Sequence, residues 1–133
     1  MTIIKRIISP FAPEPAPGRF SNCLLVDGIA YIAGQTGQDP VTNQVPADGF
    51  EQAQTIFRKL TALVEAAGGT AADIVKLTVF VTDADQIPHV AKARAEVFHG
   101  DFPASTLVQV ASLFDPALKI EIECVAHIGA SAR

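Results

Sequence analysis

Between Asp48 and Ala67 the apolar residues Phe50, Ala53, Phe57, Leu60, Val64 and Ala67 recur at helical spacing, and Ile56 and Leu63 widen the stripe they form. A helix with one broad apolar stripe must bury it against another element. Asp48, with Glu51 three residues on, has the form of a capping box, and Gly68-Gly69 ends the segment. Most of the remaining apolar residues stand in short β-branched runs between glycines and prolines. The partner of this helix is therefore predicted to be a sheet.

The strands can be placed from their flanks. Ile3–Ile8 is a β-branched run, closed by Ser9-Pro10 and by a stretch with four prolines between Pro10 and Pro17, which is expected to be an extended loop. Asn22–Val26 and Ile29–Ala33 flank Asp27-Gly28, a hairpin signal. A long polar connection follows to the helix. Thr70 and Asp73 frame a short turn before the strand Ile74–Val81. A second helix is predicted to start at Asp83 or Asp85, to carry Pro88 in its first turn, and to run to about His99. Val90, Ala93, Arg94, Val97 and Phe98 form its inner face. Gly100–Pro103 breaks the chain, Thr106–Ala111 reads as a strand, and Asp115-Pro116 as a turn.

Leu118–Ile128 is the clearest strand. Ile120, Ile122, Cys124, Ala126 and Ile128 share one face, and Lys119, Glu121, Glu123, Val125 and His127 the other. The predicted order is βββαβαββ, an α+β mixed sheet with both helices on one face, in one domain spanning residues 1–133. One helix layer covers one sheet face, yet the strands at 74–81 and 106–111 carry apolar residues on both. The uncovered face, assigned Leu107 and Val79, is expected to be buried by a second copy of the chain.

Composition narrows the function. With 49% hydrophobic and 18% charged residues, the chain has the makings of a packed core rather than of a disordered segment. No apolar run approaches the roughly 18–20 residues that a membrane helix needs. A net charge of −4 argues against nucleic acid as a partner, because phosphate backbones are held by clustered lysine and arginine. Cys23 and Cys124 stand far apart with no CxxC and no histidine companion, so they are expected to be unpaired, with no metal or cofactor site. MTIIKRIISP lacks the apolar core and cleavage site of a secretory signal, which points to the cytoplasm.

No GxSxG, HExxH, P-loop or GxGxxG motif is present. His89, His99 and His127 are dispersed and read as surface residues. Glu121 and Glu123 share a strand face, either as an acid–base pair or as a solvated strand edge. Arg19, in FAPEPAPGRF, is either a loop anchor or an anion clamp.

Taken together, AGQTGQDPVTNQVPAD, LVEAAGG, DIVKLTVFVTD, FPAS and KIEIECVA resemble the RidA family, also called YjgF, YER057c or UK114, in the family's order and near its spacing. The resemblance runs from about Ile3 to Ile128. It implies a chorismate-mutase-like fold and a homotrimer, with three sheets forming a central barrel and a small-molecule cleft between each pair of subunits. It also implies hydrolysis of reactive enamines and imines to carbonyl compounds and ammonia, without a cofactor. Other members are linked to aminomuconate deamination, pyrimidine catabolism, translation inhibition and RNA cleavage.

Carried over residue by residue, the family's water-activating glutamate falls on Glu121, and its cleft wall on Gly34, Phe102 and Pro103. Three positions depart from the family pattern. The carboxylate-binding arginine after Pro-Ala falls on Ser105, which has neither its charge nor its fork. A cleft tyrosine falls on Phe20, and a serine before Gly-Gln on Ala33. Three readings follow: a deaminase or hydrolase with altered substrate recognition, whose substrate lacks the usual carboxylate or meets a different cation such as Arg19; a non-catalytic metabolite-binding trimer; or a ribonuclease or translation-inhibitor type.

Overall fold

The computed structural model describes residues 2–132. Six strands form one sheet, β1 (Ile4–Ile7), β2 (Cys23–Val26), β3 (Ile29–Thr36), β4 (Ile74–Val81), β5 (Ala104–Gln109) and β6 (Ile120–His127), in the spatial order β1-β2-β3-β6-β4-β5. Every pairing is antiparallel except β4–β5, which is parallel because a helix crosses over between the two strands. The helices are α1 (Gly49–Ala66) and α2 (Ile87–Val97), so the predicted βββαβαββ order and α+β class hold.

Local chemistry explains the boundaries. Asp27 and Gly28 both take positive φ, 51° and 77°, which makes the tight turn between β2 and β3. The Asp48 carboxylate accepts the Phe50 N–H and caps α1. The second helix is entered through a 3₁₀ turn, Ala84–Gln86, which Asp83 caps by accepting the Asp85 N–H at 2.9 Å. Pro88 then sits in the first turn of α2, where no N–H is needed.

The alternation read in β6 is the key to the core. Ile120, Ile122, Cys124 and Ala126 are buried beneath the helices with Leu77, Val79 and Val81 of β4 and Ile56, Leu60, Leu63 and Val64 of α1. Cys23 and Cys124 are both free and buried on this side, and burial pushes their thiols up to about 11 and about 12.

One assignment needs correction. Val79 and Leu107, expected on the uncovered face, pair with each other and lie on the helix side; Val79 is fully buried and Leu107 packs against the core. The register shows why: Ser105, Leu107 and Gln109 pair with Leu77, Val79 and Val81 and so share their side. The uncovered face carries instead Leu24, Tyr31, Phe80, Val108 and Val125, a broad apolar surface with Tyr31 49% and Val108 40% exposed.

The proline-rich segment is ordered by a buried amide pair. Asn22 Nδ2 donates to the carbonyls of Ala12 (3.1 Å) and Pro13 (2.9 Å), and Gln35 Nε2 donates to Asn22 Oδ1 (3.3 Å) and to the Ala33 carbonyl (3.0 Å). Arg6 pairs with Glu14 on the same segment.

Candidate active site

Glu121 projects from β6 onto the uncovered face, opposite Thr36 of β3 and Phe80 of β4. It is half-buried. That burial, more than the neighbouring Glu123 carboxylate, raises its pKa from the ordinary glutamate value. The ladder between β3 and β6 is irregular between Ile32 and Gln35, so the backbone bulges at Ala33 and Gly34. The bulge brings Gly34 onto the carboxyl group. A Cβ placed at Gly34 would stand 2.8 Å from Glu121 Cδ and nearer still to Oε2. Glycine is therefore the residue that lets a backbone approach this acid so closely.

Beyond the last residue of β3 that pairs with β2, a cavity of about 250 Å³ opens beside Gly34 and Gln35, lined also by Phe20, Asn22, Asp39 and Lys59. The Lys59 side chain is buried and donates from Nζ to the Thr36 carbonyl at 2.9 Å. Desolvation, opposed in part by Asp39, lowers its pKa to about 8. Ala33 lines a second hollow, of about 350 Å³, with Tyr31, Glu123 and Val125 on the uncovered face.

The residues named from sequence fall into two groups. Phe20, Ala33, Gly34 and Glu121 gather around the bulge of β3. Phe102, Pro103 and Ser105 gather at the start of β5, where Phe102 is 47% exposed with its ring 6.2 Å from that of Phe98. Ser105 pairs with Leu77, Glu121 with Phe80, and β4 lies between them. Three residues along β4 and two strand spacings across put the Cα atoms of Ser105 and Glu121 roughly 14 Å apart, on opposite faces of the sheet. One chain does not bring the two groups together. Arg19 belongs to neither group. It is exposed on the proline segment, and its side chain makes no hydrogen bond among the described residues.

Two basic residues near these groups went unassigned in the sequence, though both carried a signal. Lys59 stands within the α1 stripe, three residues after Ile56 and four before Leu63. Arg94 stands on the inner face of α2 and donates from Nη1 to Ser105 Oγ at 3.4 Å. A charged residue inside an apolar stripe is the readable sign of a special position.

Residues 11–128 match the family model described as Endoribonuclease L-PSP. Among curated proteins, the chain is 36% identical to a 2-iminobutanoate/2-iminopropanoate deaminase from Dermatophagoides farinae, over 93% of this chain and 97% of that protein. Among solved structures, a protein of unknown function from Pseudomonas aeruginosa superposes with a TM-score of 0.88 at 37% identity, covering 96% and 94% of the two chains. The E. coli protein TdcF, solved with bound serine, superposes with a TM-score of 0.86 at 32% identity, covering 92% of this chain and 98% of that one.

Proposed function

Because this chain belongs to the YjgF/RidA family, whose model is described as Endoribonuclease L-PSP, we propose that it hydrolyses small imines, and enamines after tautomerisation, to a carbonyl compound and ammonia. The observation that carries the reading is the half-buried Glu121 carboxylate seated against the bare backbone of Gly34. Relatives named for deamination of 2-iminobutanoate and 2-iminopropanoate support the reaction class.

The chemistry asks little of the protein. Water adds to the imine carbon, its proton passing to the Glu121 carboxylate as the carbon–oxygen bond forms. Glu121 returns that proton to the nitrogen of the resulting carbinolamine. The carbon–nitrogen bond then breaks as the hydroxyl proton passes by way of the Glu121 carboxylate to the departing nitrogen, so that ammonia leaves, the carbonyl forms and the carboxylate is restored. A carboxylate with a raised pKa suits a group that must take a proton and give it back. No external redox partner is needed.

We place this site between subunits of a homotrimer. The uncovered apolar face of Leu24, Tyr31, Phe80, Val108 and Val125 is what a neighbouring copy would bury. Packing copies against one another also offers a way to set the Ser105 group of one subunit near the Glu121 group of the next. The absence of a forked cation at position 105 is the reason to expect altered substrate recognition. The net charge of −4 keeps nucleic acid a poor candidate partner. Buried, protonated thiols suit a reducing cytoplasm.

Glu121→Gln tests the assignment, because it keeps the shape and removes the base. With semicarbazone and ammonia detection over a panel of imines, turnover is expected to fall by about 10²–10⁴-fold while the oligomer is unchanged. Full turnover in a stable Glu121→Gln oligomer would remove Glu121 from the reaction. A wild-type protein that binds small metabolites but turns over none of the imines would be a binding trimer instead.

A further inference from the structure

We propose that Lys59 is a carbonyl-capturing amine: its Nζ condenses with a small neutral aldehyde held in the cavity beside Gly34, forming a reversible imine. This site is separate from the hydrolytic carboxylate and goes beyond the imine hydrolysis proposed above.

Lys59 sits in the apolar stripe of α1, and only 6% of its surface is exposed. Its ammonium can donate three hydrogen bonds, yet among the described residues it has one acceptor, the Thr36 carbonyl at 2.9 Å. No carboxylate pairs with it: among the described residues the one ion pair joins Arg6 to Glu14. A buried charge without a partner is costly, and a carbonyl needs no charge to satisfy it. Beside the amine lies a space of about 250 Å³, lined by Lys59, Thr36, Gly34 and Asp39 with the rings of Phe20 and Phe114. A desolvated amine with N–H groups to spare, next to an open cavity, has the attributes of a nucleophile. Desolvation lowers its pKa to about 8, so its neutral fraction at pH 7 is on the order of a hundred times that of an ordinary lysine.

The cavity also selects what it admits. It is smaller than the roughly 300–1,000 Å³ that drug-sized ligands occupy, and so suits a compound of a few carbons. Lys59 and Asp39 are the two ionisable side chains that line it. Asp39 Oδ1 accepts the N–H groups of Val41 and Thr42 at 2.8 and 2.9 Å, which holds the group as a carboxylate. A protonated imine on Lys59 balances that one negative charge. A ligand carboxylate would add a second negative charge with no cation left to meet it. A neutral aldehyde fits, and with a hydrogen on its carbonyl carbon it needs less room at the amine than a ketone.

The step needs no redox partner. The neutral amine, having released a proton to water, adds to the carbonyl carbon, and a proton moves from nitrogen to oxygen. The carbinolamine takes one proton back from water and expels its hydroxyl as water, while the nitrogen lone pair closes the carbon–nitrogen double bond. Net, ammonium and aldehyde give a protonated imine and one water.

The probe is butanal at pH 7, with sodium cyanoborohydride to reduce the imine to a stable secondary amine. Peptide mapping by mass spectrometry then locates the butyl group on the intact protein. Lys59 is expected to be labelled about 10-fold faster than the exposed Lys5 and Lys92, entry into the cavity offsetting part of the gain in neutral amine. In urea the three lysines should react alike. 4-Oxobutanoate, of the same length but with a carboxylate, is expected to label Lys59 about 10-fold more slowly than butanal, and Asp39→Asn should narrow that gap. 2-Naphthaldehyde, too bulky for the cavity, should label Lys5 and Lys92 and spare Lys59.

Labelling of Lys59 no faster than of Lys5 would overturn the proposal. So would equal labelling of the three by 2-naphthaldehyde, or faster labelling of Lys59 by 4-oxobutanoate than by butanal. Glu121→Gln separates the two sites, because capture at the wild-type rate is expected where ammonia release is lost. Loss of capture in Glu121→Gln would fold Lys59 into the hydrolytic site and end its assignment as a separate one. Capture intact in a wild type that releases ammonia from no imine would sink the hydrolase reading alone.

Discussion

The two strands that flank β4 present opposite solutions to building half a site. On the Glu121 side the groups are locked. The bulge of β3 presses Gly34 on the carboxylate, the Asn22–Gln35 pair ties the proline segment down, and Lys59 is buried against the Thr36 carbonyl. On the Ser105 side the chain is open. Ala104, Ser105 and Thr106 are exposed, Phe102 is half-exposed, and one long bond joins Arg94 to the strand. The contrast teaches that the locked half suits the reacting atoms, where small displacements cost most, whereas the open half suits recognition of a substrate held against a neighbouring surface.

The most severe way to break the locked half is at Gly34. Gly34→Ala sets a methyl group into the Glu121 carboxyl, so the acid must swing away or the bulge must shift. A displacement of about 1 Å at reacting groups costs on the order of 10²-fold in rate, and a loss at least that large in kcat/KM is expected. The proposed trimer should still assemble, since Leu24, Tyr31, Phe80, Val108 and Val125 are untouched. Activity near wild type in Gly34→Ala would mean that the close approach of Gly34 to Glu121 has no part in the reaction.

The next test concerns stability. Asn22→Ala leaves the buried Ala12 carbonyl and the partly buried Pro13 carbonyl without their donor, and takes one of two acceptors from the Gln35 amide. That is expected to destabilise the fold by about 2–4 kcal/mol in urea denaturation, from the desolvated groups left unpaired. On the open side, Ser105→Ala removes one weak, exposed bond and is expected to stay within about 0.5 kcal/mol. Equal effects at the two positions would erase the distinction between a locked and an open half.

Legibility in the sequence followed the same division. The stripe of α1 and the alternation of β6 were readable because the apolar pattern and the buried pattern coincide, and Glu121 was placed on the correct face by that alternation alone. The parity of β5 was not readable. It depends on pairing with β4, which sets Leu107 beside Val79 and Val108 beside Phe80, and a six-residue strand leaves no trace of which face its neighbour will cover. The buried amides were hidden for another reason. Asn22 opens a strand run, Gln35 falls in a polar connection and Gln52 lies outside the α1 stripe, yet Gln52 is fully buried and joins the Pro46 and Ala117 carbonyls to the Lys119 N–H. A polar side chain reveals its partners only once distant segments meet. The family assignments of Ser105 and Phe20 came from resemblance, not from spacing, and nothing in either stretch marked Arg94 as the neighbour of Ser105.

The smallest expected effect on the locked half, and the sharpest, is at Lys59. Its pKa is lowered from 10.5 to about 8 because burial strips water from the ammonium faster than Asp39 compensates. The folded state thus releases its proton more readily than the unfolded state. Between about pH 8 and the ordinary lysine value the unfolded chain binds more protons, so this group's contribution makes stability rise with pH there and makes the charge a burden at neutral pH. At about 1.4 kcal/mol per pKa unit the burden has a ceiling of about 3 kcal/mol, reduced by the bond to the Thr36 carbonyl. Lys59→Met is therefore expected to be more stable than wild type at pH 7, by about 1–2 kcal/mol. The wild type should gain on it between pH 8 and 9. Above pH 9 the two buried thiols act in the opposite sense, since their folded values near 11 and 12 lie above the ordinary 9.0, and the unfolded chain then sheds protons first. Urea denaturation of both proteins at pH 7, 8 and 9, at one protein concentration, measures the difference. A Lys59→Met protein less stable than wild type at pH 7, with the same change from pH 8 to 9, would make Lys59 an ordinary anchor of β3 and not a charge held there at a cost.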